Sequence, residues 1–93
     1  METIRLDAAR LCRREEAMEL LGRTLELPEW WGRNLDALHD CLTELGRPVR
    51  LELCGWEAME EAGFGRRLLR VLKDAAAENH FLELVLEQEE GSR

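Results

Sequence analysis

The chain has 93 residues, 45% of them hydrophobic, and a formal net charge of −7. That length suits one small domain with a leucine-rich core, and leaves no room for a second domain or a deep substrate cavity. The apolar fraction argues against global disorder. The acidic balance argues against direct binding to nucleic acid, whose phosphates demand clustered lysine and arginine. A basic protein is the better-matched partner, drawn in by long-range attraction, although an acidic surface also serves plain solubility.

In chain order, Thr3 to Leu6 alternates and reads as a first strand. Glu15 to Leu25 carries Ala17, Met18, Leu21 and Leu25 as a helical stripe, which Pro28 keeps from continuing. A loop runs to Asn34, a residue suited to cap the next helix, and Asp36 in the first turn suits the positive helix end. This second helix is expected to close near Leu45, with Gly46 in a left-handed cap and Pro48 blocking regrowth. Val49, Leu51 and Leu53 alternate with Arg50 and Glu52, a strand pattern. A short helix is predicted around Trp56 to Ala62 and a turn at Gly63 to Gly65. The strongest helix follows over Arg66 to Asn79, with Leu68, Leu69, Leu72, Ala75 and Ala76 on one side. Phe81 to Glu87 is the last strand, and the polar tail is expected to fray. Strands joined by helical crossovers predict an α/β fold, a small parallel sheet covered by helices.

No signal-peptide run opens the chain and no segment approaches the ~20 apolar residues of a membrane span. The expectation is a cytoplasmic protein without a membrane role. Cys12, Cys41 and Cys54 match no disulfide scaffold or metal knuckle and read as reduced thiols; Cys41 reads as a small buried hydrophobe.

The informative stretch is Leu25 to Thr43, LELPEWWGRNLDALHDCLT. Asp36, Asp40 and Glu44 are four residues apart and stack on one helix face at about 100° per residue, while Leu35, Leu38, Leu42 and Leu45 point the other way. Ahead of them stand Trp30 and Trp31. Two successive tryptophans at a turn cannot easily both be buried, so one is expected to lie in the core and the other to project as an apolar anchor. Carboxylates at this spacing are the ordinary make-up of a solvated helix face; only their place beside the indoles points to binding. A catalytic reading finds little. Asp36, His39, Asp40 and Asp74 could be imagined as a metal or acid–base set, but His39 and Asp40 are adjacent and diverge on a helix. His39 and His80 form no metalloprotease pattern, and there is no phosphate-binding glycine loop, nucleophile elbow or cofactor fingerprint. The expectation is a protein that is not an enzyme, with no catalytic residue, no metal and no cofactor.

The same stretch resembles the signature segment of the barstar family, intracellular inhibitors of the secreted ribonuclease barnase and its relatives. The likeness continues more loosely through PVRLEL, RVLKDAAAEN and FLELVLEQ, and extends to the first 20 residues only in pattern. It implies a barstar-like α/β fold, a three-stranded parallel sheet packed with about four helices, as a single domain over residues 1–93 with 88–93 frayed. It further implies that the second helix and its leading loop plug the active site of a basic, secreted-type ribonuclease. Carboxylates there take the place of the substrate's phosphate, so inhibition is by occlusion.

The resemblance assigns Asp40 to the phosphate site, where it accepts charge-assisted hydrogen bonds, and Asp36 to the same interface. It places Trp30 where the family usually has a tyrosine against the ribonuclease's catalytic histidine, Gly32, Asn34 and Leu35 at contact positions, and Asp74 opposite a basic residue of the partner. The chain departs from the pattern in having tryptophan at both Trp30 and Trp31, His39 for a tryptophan, Glu44 and Leu45 for a glycine–tryptophan pair, an aspartate for a glutamate at Asp74, His80 for a cysteine, and a shorter following loop. Trp31, His39 and Glu44 complete the expected partner surface, and His39 brings a side chain of the type used in pH-dependent contacts. The free protein is expected to be a monomer. An alternative stays open: a barstar-fold interaction or immunity module for a different basic partner or toxin.

Overall fold

A computed structural model describes residues 1–88 of the chain. The elements are β1 (Glu2–Asp7), a 3-10 turn (Ala8–Leu11), α1 (Arg14–Thr24), α2 (Leu35–Thr43), β2 (Val49–Cys54), α3 (Glu57–Glu61), α4 (Gly63–Glu78) and β3 (Leu82–Glu87). Of the tail expected to fray, Gln88 lies past β3 without regular structure, and residues 89–93 lie outside the described residues.

The three strands form one sheet in the order β1-β2-β3, with both pairs parallel. Ile4 sits opposite Leu51 and Leu51 opposite Leu84; Leu6, Leu53 and Leu86 form the next row. Parallel neighbours need crossovers, and the helical segments between the strands supply them. The inward row of Ile4, Leu6, Val49, Leu51 and Leu53 is buried with Met18 and Leu21 of α1, Leu38 and Leu42 of α2, and Leu68 and Leu72 of α4.

Helices cover only one face of this sheet, not both. Period-2 alternation sends every second side chain the other way, and that second face carries charge. Arg5 bridges Glu52 at 3.2 Å and Glu87 at 2.6 Å. Arg50 meets Glu52 at 3.0 Å and Glu83 at 4.0 Å.

Two local expectations are corrected. Gly63 to Gly65 is not a turn but the first turn of α4. Gly65 is there for closeness: a Cβ on it would lie 2.8 Å from the Met59 carbonyl oxygen of α3. Nor does α2 run to Leu45 and end on a left-handed Gly46. It ends at Thr43 with Glu44 as its C-cap, and among the described residues only Gly32 and Gly55 are glycines with positive φ. A side chain from elsewhere replaces the glycine cap: Asn79 Nδ2 donates to the carbonyls of Leu42 at 2.9 Å and Leu45 at 3.1 Å.

Candidate functional site

The loop between α1 and α2 is built by backbone capping at both ends. At the end of α1, the Leu27 amide donates to the Gly22 carbonyl at 2.9 Å and the Glu26 amide to Arg23 at 3.3 Å. This is a Schellman closure, with Glu26 in the left-handed position at φ 55° where glycine is usual. Pro28 then starts a tight turn in which its carbonyl accepts from the Trp31 amide at 3.1 Å. Gly32 at φ 93° and Arg33 at φ 51° turn the chain again. Asn34 closes the loop as predicted: its Oδ1 accepts from the Ala37 amide at 2.8 Å, capping α2.

This turn separates the two tryptophans. Trp31 is 5% exposed and Trp30 is 83% exposed. Trp31 lies against α1, where the missing side chain of Gly22 leaves room; a Cβ there would come within 3.1 Å of the indole Nε1. Trp31, expected as part of the partner surface, is therefore chiefly a core residue that holds up the loop, and Trp30 is the projecting indole.

Beyond the loop, α2 turns Leu38 and Leu42 inward, with Leu35 half-buried. Asp36, Asp40 and Glu44 are exposed, and Asp40 keeps 79% of its side-chain surface. Among the described residues no arginine or lysine pairs with Asp36, Asp40, Glu44 or Asp74; the arginine pairs are made on the sheet face, near the N-terminus and around the 3-10 turn. Asp40 Oδ1 lies 4.0 Å from Nδ1 of its neighbour His39.

The expected residues thus fall into place unequally. Gly32 and Asn34 shape the loop, and Asp36 and Asp40 line the exposed face of α2. Asp74 is exposed on α4, the helix that packs beside α2. His39 is half-buried and directed at α4, its Nε2 3.0 Å from Glu78 Oε2. Glu78 is not among the residues that the sequence pattern singles out. One signal existed, because Glu78 lies four residues beyond Asp74 and so on the same helix face; the packing of α4 against α2 gives that face its place.

An open groove of about 630 Å³ runs beside α2, bounded by the Leu25–Trp31 loop on one side and the Glu44–Arg47 segment on the other. Cys41 faces it, and burial first, then the Glu44 and Asp40 carboxylates, hold this thiol above the ordinary thiol range. Among the described residues no group of three His, Cys, Asp or Glu side chains is arranged to hold a metal ion, and no helix is long and apolar enough to cross a membrane.

A small acidic α/β module that offers unpaired carboxylates and an indole from one helix and its leading loop has the surface of a protein-binding module. The family model described as Barstar (barnase inhibitor) matches residues 1–89. The chain belongs to the barstar family, a family of inhibitors, and its three-stranded parallel sheet with four α-helices is the α/β architecture expected from that resemblance.

Proposed function

We propose that this protein inhibits a basic ribonuclease of the barnase type by covering its active site with α2 and the preceding loop. The observation that carries the reading is the pairing of free charge with apolar surface: Asp36 and Asp40 stand exposed and, among the described residues, without an arginine or lysine partner, next to an indole that is 83% exposed. A phosphate-binding site is a cluster of cations waiting for an anion. An exposed carboxylate on a capped helix reaches such a site with its full charge and loses no internal partner on doing so.

In this reading Asp40 enters the phosphate site and Asp36 and Asp74 meet flanking cations. Trp30 packs on the catalytic histidine, and Gly32, Asn34 and Leu35 touch the enzyme around it. Trp31 supports the loop, while His39 and Glu44 form the rim. Inhibition needs no chemistry, so the protein is not an enzyme; it acts in the cytoplasm, where an active ribonuclease would do harm. The interface buries on the order of 1,600 Å² in total.

Titrating a barnase-type ribonuclease with the protein and with Asp40→Ala tests this. The variant leaves the enzyme's cations buried and unpaired, a loss of about 3–5 kcal/mol, or a hundredfold and more in affinity. Equal inhibition by both forms overturns the assignment. A second reading, immunity against a different basic toxin, is favoured by one observation: His39 is occupied by Glu78 where the family presents a tryptophan. A neighbouring reading frame for a small secreted basic ribonuclease decides for the first.

A further inference from the structure

The exposed face of α4 carries its charge in two blocks. Arg67, Arg70, Asp74 and Glu78 are all exposed, and their spacing sets them along one stripe of the helix. Arg66 adds to the basic block. Lys73 adds less, because its ammonium lies 5.8 Å over the Trp56 ring.

This charge is not used up inside the molecule. Among the described residues no ion pair includes Arg66, Arg67, Arg70 or Asp74, and Glu78 reaches only His39. The blocks also run against the helix dipole. Acids are favoured at a helix N-terminus and bases at its C-terminus, yet α4 has no acid in its first turn and no base in its last. Each block sits at the end that disfavours it.

A stripe that reads plus, plus, minus, minus is complementary to itself when turned end for end. Arg70 and Asp74 are centred on residue 72, and Arg67 and Glu78 half a residue further on, a mismatch of about 0.8 Å along the axis. One antiparallel register therefore sets Arg70 beside Asp74 of a second copy and Arg67 beside Glu78, each twice across a two-fold axis. The opposed helix dipoles favour the same arrangement. Ala77, small and exposed, leaves room for the backbones to approach.

We propose that α4 pairs with α4 of a second copy of this chain in this antiparallel register. Exposed ion pairs contribute little singly, and both molecules carry −7. The pair is therefore weak, with a dissociation constant on the order of 1 mM, and the monomer expected from the sequence is the dilute form. The proposal goes beyond the inhibitory reading and does not rest on it. Where both hold, they compete at Asp74, which the ribonuclease and the second copy each require.

Two charge-reversal variants test the register without any ribonuclease. Arg67→Glu with Arg70→Glu makes the stripe wholly acidic and takes the net charge from −7 to −11; Asp74→Arg with Glu78→Arg makes it wholly basic and takes it to −3, each change moving the charge by two units. Amide shifts and sedimentation are followed at concentrations up to about 1 mM, and the dispersion of each amide spectrum reports that the variant is folded. The parent is expected to show concentration-dependent shifts along α4 and each variant alone to show none. An equal mixture of the two is expected to associate about tenfold or more tightly than either alone. Self-association of the basic variant, which its lower net charge by itself would favour, overturns the register. So does a parent or a mixture of folded variants that stays monomeric, or shifts that centre on α2 or the sheet.

Discussion

The side-chain amide of Asn79 holds the end of α2 from across the molecule, 2.9 Å from the Leu42 carbonyl oxygen. The same side chain takes Leu45 at 3.1 Å, and its Oδ1 accepts from the Phe81 amide at 3.0 Å where β3 begins. Asn79 is 8% exposed, so these groups have little access to water. The residue before it, Glu78, takes His39. Two consecutive residues at the end of α4 thus set where the acidic helix stands.

Asn79→Ala removes the side-chain donor from the Leu42 and Leu45 carbonyls and the acceptor from the Phe81 amide. A loss of about 2–3 kcal/mol is expected, read as a lowered urea midpoint with unchanged slope. A change under about 0.5 kcal/mol would mean that water replaces the amide at no cost.

The two tryptophans should separate cleanly. Trp31→Ala empties a packed site and is expected to cost about 3–5 kcal/mol of folding stability. Trp30→Ala should leave stability within about 0.5 kcal/mol and weaken partner binding by about 2 kcal/mol. Thermal melts of both variants, with an inhibition assay of the second, check the pair. Trp30→Ala binding as well as the parent would remove the indole from the interface.

Glu26 sits left-handed at φ 55°, a conformation that costs a residue with a Cβ about 1 kcal/mol or more. Glu26→Gly is therefore expected to stabilise the fold by about 1 kcal/mol, seen as a raised melting temperature. A lowered one would show that the Glu26 side chain makes a compensating contact.

If the proposed basic ribonuclease is the target, association should depend on salt more than dissociation does, because α2 presents exposed carboxylates to its cations. Stopped-flow association rates from low to high ionic strength give the answer; a flat rate argues against attraction at a distance.

The thiols set the alkaline side of stability. Cys41 is held above the ordinary value of 9.0 by burial, then by Glu44 and Asp40, and Cys12 by burial, then Asp7. Below the ordinary value both folded and unfolded chains keep these protons. Above it the unfolded chain ionises first, binds fewer protons, and gains ground. Stability should fall as pH rises past 9.0, and less steeply in Cys41→Ala. An identical profile for the variant would locate the fall in other groups.

What could be read from sequence alone follows the range of the interactions. Asn34 was legible as a cap because an N-cap acts on an amide three residues away. The parallel sheet was legible because alternation and helical crossovers leave few arrangements. Gly46 misled because the end of α2 is satisfied by Asn79, a partner 34 to 37 residues distant. The Gly63–Gly65 run misled for the same reason: glycine also serves close packing, and the Met59 backbone it accommodates belongs to another helix. Trp30 and Trp31 could not be told apart by type, since their difference comes from the turn at Pro28 and the space over Gly22. The anionic stripe was visible as spacing; that no arginine or lysine among the described residues pairs with it depended on where those side chains land.

The uncovered side of the sheet has its own effect. β1 and β3 are the outer strands of the sheet, and strand edges invite neighbouring molecules to add on. Arg5 on β1 and Glu83 and Glu87 on β3 set fixed charges along those margins. A second molecule approaching edge-on would have to match or displace them. Those charges disfavour sheet-to-sheet addition of a neighbouring molecule.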